Sequence, residues 1–190
     1  TAMVAWTYFA GSLTASGNSL IGSTNLISKV YFPRLIIPLS SVLAGLLDFS
    51  IAFVVLIGMM FYFHIYPTIM ILLVPFLVIL MMLTASGVGM ALAALNAKYR
   101  DIRYTIPFLV QLWMFASPIV YPASLVPEKY RLIYALNPMT GVIEEFRSTL
   151  LGTVAFPTMM ILISAMVSIT LFTFGLFYFK QMERYFADII

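Results

Sequence analysis

The chain has 190 residues, 63% of them hydrophobic and only 9% charged, where an average soluble domain carries about a quarter charged residues. That composition excludes a water-soluble globule, and the charges are bunched: residues 1–28, 49–97, 104–127 and 148–179 carry none, each stretch holding the ~20 apolar residues that cross a bilayer. With no Cys and a single His, His64, disulfides, a thiolate nucleophile, a Cys or His metal cluster and a His-paired triad are excluded as well.

Charges and helix breakers divide the chain into five expected spans of an all-α integral membrane protein. The first covers about 1–21. Thr7, Gly11, Ala15, Ser19 and Ser23 recur every fourth residue, a narrow face on which another backbone is expected to come close. Thr1 opens directly in apolar sequence without Met or a basic flank, so an upstream segment is expected. Residues 23–32 form a short amphipathic helix, capped by Ser23 or Thr24 and stopped by Pro33, with Leu26, Ile27, Val30 and Tyr31 on its apolar side. Such a helix either lies in the interface or docks a soluble partner. The second span covers about 36–63 and the third 67–97, with the neutral stretch 61–66 as the turn between them. The third again carries small residues every fourth position: Ala85, Gly89, Ala93 and Ala97. The fourth covers 104–121, broken near its far end by Pro118 and Pro122. The fifth covers 155–179 and is followed by a hydrophilic tail.

Residues 127–151 do not fit a span, because Glu128, Lys129, Arg131, Glu144, Glu145 and Arg147 stand among apolar residues. Two short helices are expected, the second capped by Asn137, opened by Pro138 and stopped by Gly152. Val142, Ile143, Phe146 and Leu150 form its apolar stripe, with Glu144, Glu145 and Arg147 off it. Such helices dip into a membrane face or lie along it.

Five crossings place Lys29, Arg34, Lys98, Arg100, Arg103, Lys180 and Arg184 on one side, which is cytoplasmic by the positive-inside rule. The C-terminus is then cytoplasmic. No Lys precedes Ser or Thr, so there is no Walker A loop and any ATP is bound, with Mg, by a partner.

Several residues could carry chemistry. Asp48 sits mid-span, where a carboxylate costs about 2.5–3.5 kcal/mol, and it serves either function or a structural hydrogen bond. Trp113 and Phe115, with Gln111 and Ser117 close by, either pack or offer flat faces and polar groups to sugar rings along a path. Lys98, Arg100 and Arg103 either signal topology or meet anionic lipid or a diphosphate at the cytoplasmic surface.

The stretches Asn25 to Pro38 (NLISKVYFPRLIIP), Leu95 to Arg103 (LNAKYRDIR), Ser117 to Tyr121 with Pro122 (SPIVYP), Leu136 to Met139 (LNPM) and Met182 to Asp188 (MERYFAD) are similar, in order and along the whole chain, to type-2 ATP-binding-cassette permeases that export O-antigen polysaccharides and teichoic acids. The resemblance implies six spans in the full protein. It assigns Asn25, Leu26, Ile27, Lys29, Val30, Tyr31 and Phe32 to a coupling helix that docks into an ATPase subunit. It makes residues 127–151 a pair of external gate helices, with Glu128, Arg131, Glu144, Glu145 and Arg147 as their charged positions. Asp48, Gln111, Trp113, Phe115 and Ser117 are expected along the path. The implied partners are the ATPase, a second permease copy forming a homodimer, and an undecaprenyl-diphosphate-linked polysaccharide in the bacterial cytoplasmic membrane, with no cofactor bound by this chain. A rival reading is an intramembrane enzyme acting on polyprenyl-linked sugars through Asp48 or Glu144 and Glu145; a second is a passive channel or scaffold.

Overall fold

The computed structural model describes the backbone of all residues except 23–31, 67, 68, 100, 120, 122–124, 153–157 and 190, and leaves the side chains of Glu128, Arg131, Leu132, Thr158 and 185–189 undescribed. The described residues form seven α-helices and one 3₁₀ turn, with no strand among them. They are α1 (Ala2–Gly22), α2 (Ile36–Tyr62), the 3₁₀ turn (Ile69–Leu73), α3 (Val74–Lys98), α4 (Ile102–Phe115), α5 (Glu128–Ala135), α6 (Pro138–Leu151) and α7 (Thr158–Ile189). Apart from Phe32, the expected amphipathic segment 23–32 lies outside the described residues, as does Arg100.

Among the described residues, three helical stretches are long and apolar enough to cross a membrane: Ile36–Tyr62, Ile69–Lys98 and Met159–Arg184. Five were expected. Helix α1 has the length, 21 residues, but its Ser, Thr and Gly content dilutes its apolarity. Helix α4 has only 14 residues, about 21 Å at 1.5 Å per residue against a hydrocarbon core of about 30 Å. It stops at Phe115 rather than near Tyr121, because Pro118 disfavours helical backbone at Ser117 and residues 116–119 form a turn instead. The expected hydrophilic tail continues α7 as helix to Ile189.

Helix α3 is the centre of the bundle, packed on α7 and on α1, which in turn packs on α2. Its contact with α7 is a backbone approach: a Cβ on Gly175 would collide with the Gly87 carbonyl, and one on Gly87 would lie 2.5 Å from the Leu171 oxygen. Thr84 Oγ1 donates to Ser168 Oγ across the same seam at 2.9 Å, the kind of side-chain bond that joins helices where water is absent.

Of the stripe Thr7, Gly11, Ala15, Ser19 and Ser23, the first three meet no other backbone among the described residues of this chain, Ser19 is buried, and Ser23 lies outside the described residues. The first three are exposed, and α1 buries Ala5, Phe9, Ser12, Leu13 and Ser16 instead. A spacing of four names a face but not its partner.

The apolar core divides by depth. One cluster, near the basic loops, gathers Leu20, Ile37, Met90, Ala93, Ala94, Phe179 and Met182, with Phe32 packed against it. The larger one, toward the other end, joins α1, α2, α3 and α6 around Phe9, Phe49, Leu77, Met81 and Phe146. Helix α2 contributes little to either: only 11% of its most apolar window is buried. The rest of that surface needs lipid or protein around it.

Candidate translocation site and gate

Helix α6 has its ends where the sequence puts them. Asn137 caps it with extended backbone, its Oδ1 accepting from Met139 N at 3.1 Å, and Gly152 closes it in the left-handed region at φ 62°. Its environment differs from expectation. Every residue from Pro138 to Phe146 is buried, including Glu144 and Glu145, the latter 1% exposed. The acids, expected off the apolar stripe, do not mark a face turned to water. They are enclosed because α6 is wedged among α7, α3, α1 and the 3₁₀ turn. At Gly141 the wedge is tight enough that a Cβ would meet Ser164 Oγ, to which Gly141 N donates at 3.2 Å.

Burial without adequate pairing has an electrostatic consequence. Desolvation pushes the Glu145 carboxyl above the ordinary glutamate value, opposed by a contact with the Thr149 hydroxyl. The closest approach is Thr149 Oγ1 to Oε1 at 3.4 Å, and Oε2 has no partner among the described residues. Glu144 is better served, accepting from Arg147 Nη1 at 2.8 Å. On the neighbouring helix, burial and a hydrogen bond to Tyr121 push the Tyr134 phenol well up.

Two side chains, Asn137 and Arg147, bind the end of α4 to α6. Asn137 uses its whole amide: besides Met139 N, Oδ1 accepts from Trp113 Nε1 at 2.9 Å, while Nδ2 donates to Ala116 O at 3.0 Å and Ser117 Oγ at 2.9 Å. One turn past the middle of α6, Arg147 Nη2 donates to the Pro118 carbonyl at 3.1 Å. Trp113 also packs edge-on against Phe9 at 5.1 Å between centroids.

The five residues expected along a path therefore do not form one cluster. Trp113 and Ser117 belong to this polar junction. Gln111 and Phe115 are exposed on α4, Phe115 by 61%, on the side that also presents Tyr104, Phe108 and Leu112. Asp48 is exposed at a separate groove of about 380 Å³ between α1 and α2, lined by Thr7, Tyr8, Gly11, Ser12, Ala15, Ser41, Gly45 and Phe49 among others. Of the charged gate positions, Glu144, Glu145 and Arg147 are placed as described; the side chains of Glu128 and Arg131 are outside the description. At the basic end, Lys98 and Arg103 are exposed, with Lys98 Nζ 5.2 Å from the Tyr99 ring centroid and Arg103 Cζ 4.9 Å from that of Tyr104. Such amphipathic pairs suit a membrane–water boundary.

Two asparagines of the sequence motifs have tertiary roles that the spacing did not indicate. One is Asn137. The other is Asn96, buried on α3, whose Nδ2 donates to Gly17 O at 3.0 Å and Asn18 Oδ1 at 3.1 Å and so fixes α3 to α1 near the basic end. A buried amide in an apolar helix was the available signal, since it must find partners.

Helices this long and apolar make the chain a multi-pass membrane protein rather than a surface-bound one. The chain belongs to the ABC-2 type transporter family, which matches residues 1–151. Among characterised proteins it is similar to two O-antigen export system permease proteins RfbA of Klebsiella pneumoniae, each 29% identical over 192 residues, covering all of this chain and 73% of the relative. It is also similar to the O-antigen export system permease protein RfbA of Myxococcus xanthus, 26% identical over 148 residues, 77% of this chain and 57% of that protein.

Proposed function

We propose that this chain is the membrane-spanning permease subunit of an exporter that moves a lipid-linked polysaccharide outward across the cytoplasmic membrane, driven by ATP hydrolysed with Mg on a separate ATPase subunit. The observation that carries the reading is the similarity to O-antigen export permeases along the entire chain. The absence of any Lys followed by Ser or Thr fits a subunit that borrows its ATPase.

In this reading the functional chain crosses the membrane with α1, α2, α3, α7 and the segment 104–121, in which the residues beyond α4 supply the length that the helix alone lacks, with the C-terminus cytoplasmic. Helices α5 and α6 re-enter from the outside as the gate. Residues 25–32 dock the ATPase. Two permease copies face one another, and the polymer, held on an undecaprenyl diphosphate, passes between them along the exposed side of α4. The aromatic rings of Tyr104, Phe108 and Phe115 support that assignment, because flat apolar faces alternating with a polar group such as Gln111 stack on sugar rings without demanding one sequence of sugars. Lys98, Arg100 and Arg103 supply positive charge where a diphosphate would arrive from the cytoplasm.

Deletion of the gene in its native host tests this. Surface polysaccharide should be lost while the lipid-linked polymer accumulates inside, and both should be restored by the intact gene. Unchanged surface polysaccharide would contradict it.

A further inference from the structure

We propose that Asn137 is a positioning residue that latches the end of α4 to α6, so that the path-lining helix and the buried gate helix move as one body during export. The proposal rests on the export reading above. Asn137 spends both amide protons on the α4 terminus, on Ala116 O and Ser117 Oγ, and receives the Trp113 indole proton on the oxygen that also caps α6. A cap alone needs only the oxygen. The two N–H donors are therefore surplus to capping, and they reach residues 20 and 21 positions away.

The Arg147 guanidinium holds the same α4 terminus a second time, at Pro118 O, from farther along α6. Two separated attachments remove the freedom of α4 to swing about either one. The α4 helix ends at Phe115 and Pro118 leaves the following turn short of helical hydrogen bonds, so without the latch this terminus would be the natural hinge. With it, the pivot shifts to the ends of the joined unit.

Asn137→Asp separates latch from cap, because a carboxylate still accepts from Met139 N but donates nothing to Ala116 or Ser117. The variant should co-purify with the ATPase at wild-type yield yet export at least tenfold less in reconstituted vesicles. In a background where the other tryptophans, Trp6 included, are replaced by Phe, the Trp113 emission maximum should shift in the Asp variant. In the second arm, Asn137→Cys with Ser117→Cys, in a chain without native Cys, should export poorly when unlinked and recover severalfold when joined by a short bis-thiol reagent. Failure of the Asp variant to assemble would make Asn137 a folding residue and overturn the latch. Wild-type export by the Asp variant, or linkage that does not raise export, would also overturn it. A wild-type complex that exports nothing would count instead against the export reading.

Discussion

The indole Nε1 of Trp113 donates to Oδ1 of Asn137 at 2.9 Å across 24 residues of sequence. The same oxygen caps α6, so one atom serves both local and tertiary structure. Asn137→Ala removes the cap, worth ~1 kcal/mol, and strands donors and acceptors around it at about 1–3 kcal/mol. Thermal unfolding in detergent should show a clear fall in Tm for Asn137→Ala. A change no larger than that of an exposed control such as Leu125→Ala would mean the junction contributes little to stability.

Glu145 should be hard to reach. Glu145→Cys is expected to react slowly with a membrane-impermeant thiol reagent added outside, no faster than Phe146→Cys, since both positions are enclosed. Rapid labelling of position 145 alone would show that α6 is turned outward in the membrane.

The same residue has a pH signature. Its folded-state pKa is raised above the ordinary 4.5, so the folded protein binds the proton more tightly than the unfolded chain. That contribution is present in acid and is lost as pH rises from 4.5 through the folded value. Glu145→Gln keeps the shape without the titration. Unfolding midpoints of the Gln variant should fall less than those of the native protein as pH climbs from about 4.5, and at neutral pH the variant should be at least as stable. Parallel pH profiles would place the carboxyl in a polar setting.

How far the sequence speaks depends on the range of the physics. The Asn137 cap and the Gly152 stop were legible because each is set by backbone groups within a few residues. The burial of Glu145 was not, because α6 is enclosed by helices up to a hundred and more residues away. The stripe through Thr7, Gly11 and Ala15 was visible but what lies against it was not, since periodicity gives a face and not a neighbour. Trp113 could be read only as packing or path. Its bond to Asn137 depends on where a Pro-broken helix end comes to rest.

Gly175 tests the α3–α7 seam. Gly175→Val would drive its side chain into the Gly87 backbone, which cannot rotate away, and the resulting separation should cost roughly 1–3 kcal/mol. Yield and Tm in detergent should both fall. A Val variant of native stability would mean the helices lie farther apart than described.

Asp48 gives the opposite expectation. Its carboxylate is exposed at the α1–α2 groove, so neither Asp48→Asn nor Asp48→Leu should lower Tm appreciably. If the charge serves export, both variants should lose it while remaining assembled. A large loss of stability in Asp48→Leu alone would return the residue to a structural role.

ATP-driven export can be followed by reconstituting the permease with its ATPase in vesicles that carry a radiolabelled undecaprenyl-diphosphate-linked polysaccharide on the ATPase-facing leaflet. With ATP and Mg, the label should become protected from a glycan-degrading enzyme on that side, and an ATPase unable to hydrolyse ATP should leave it exposed. Protection that is equal with and without hydrolysis would contradict ATP-driven export, as would a label that stays accessible throughout.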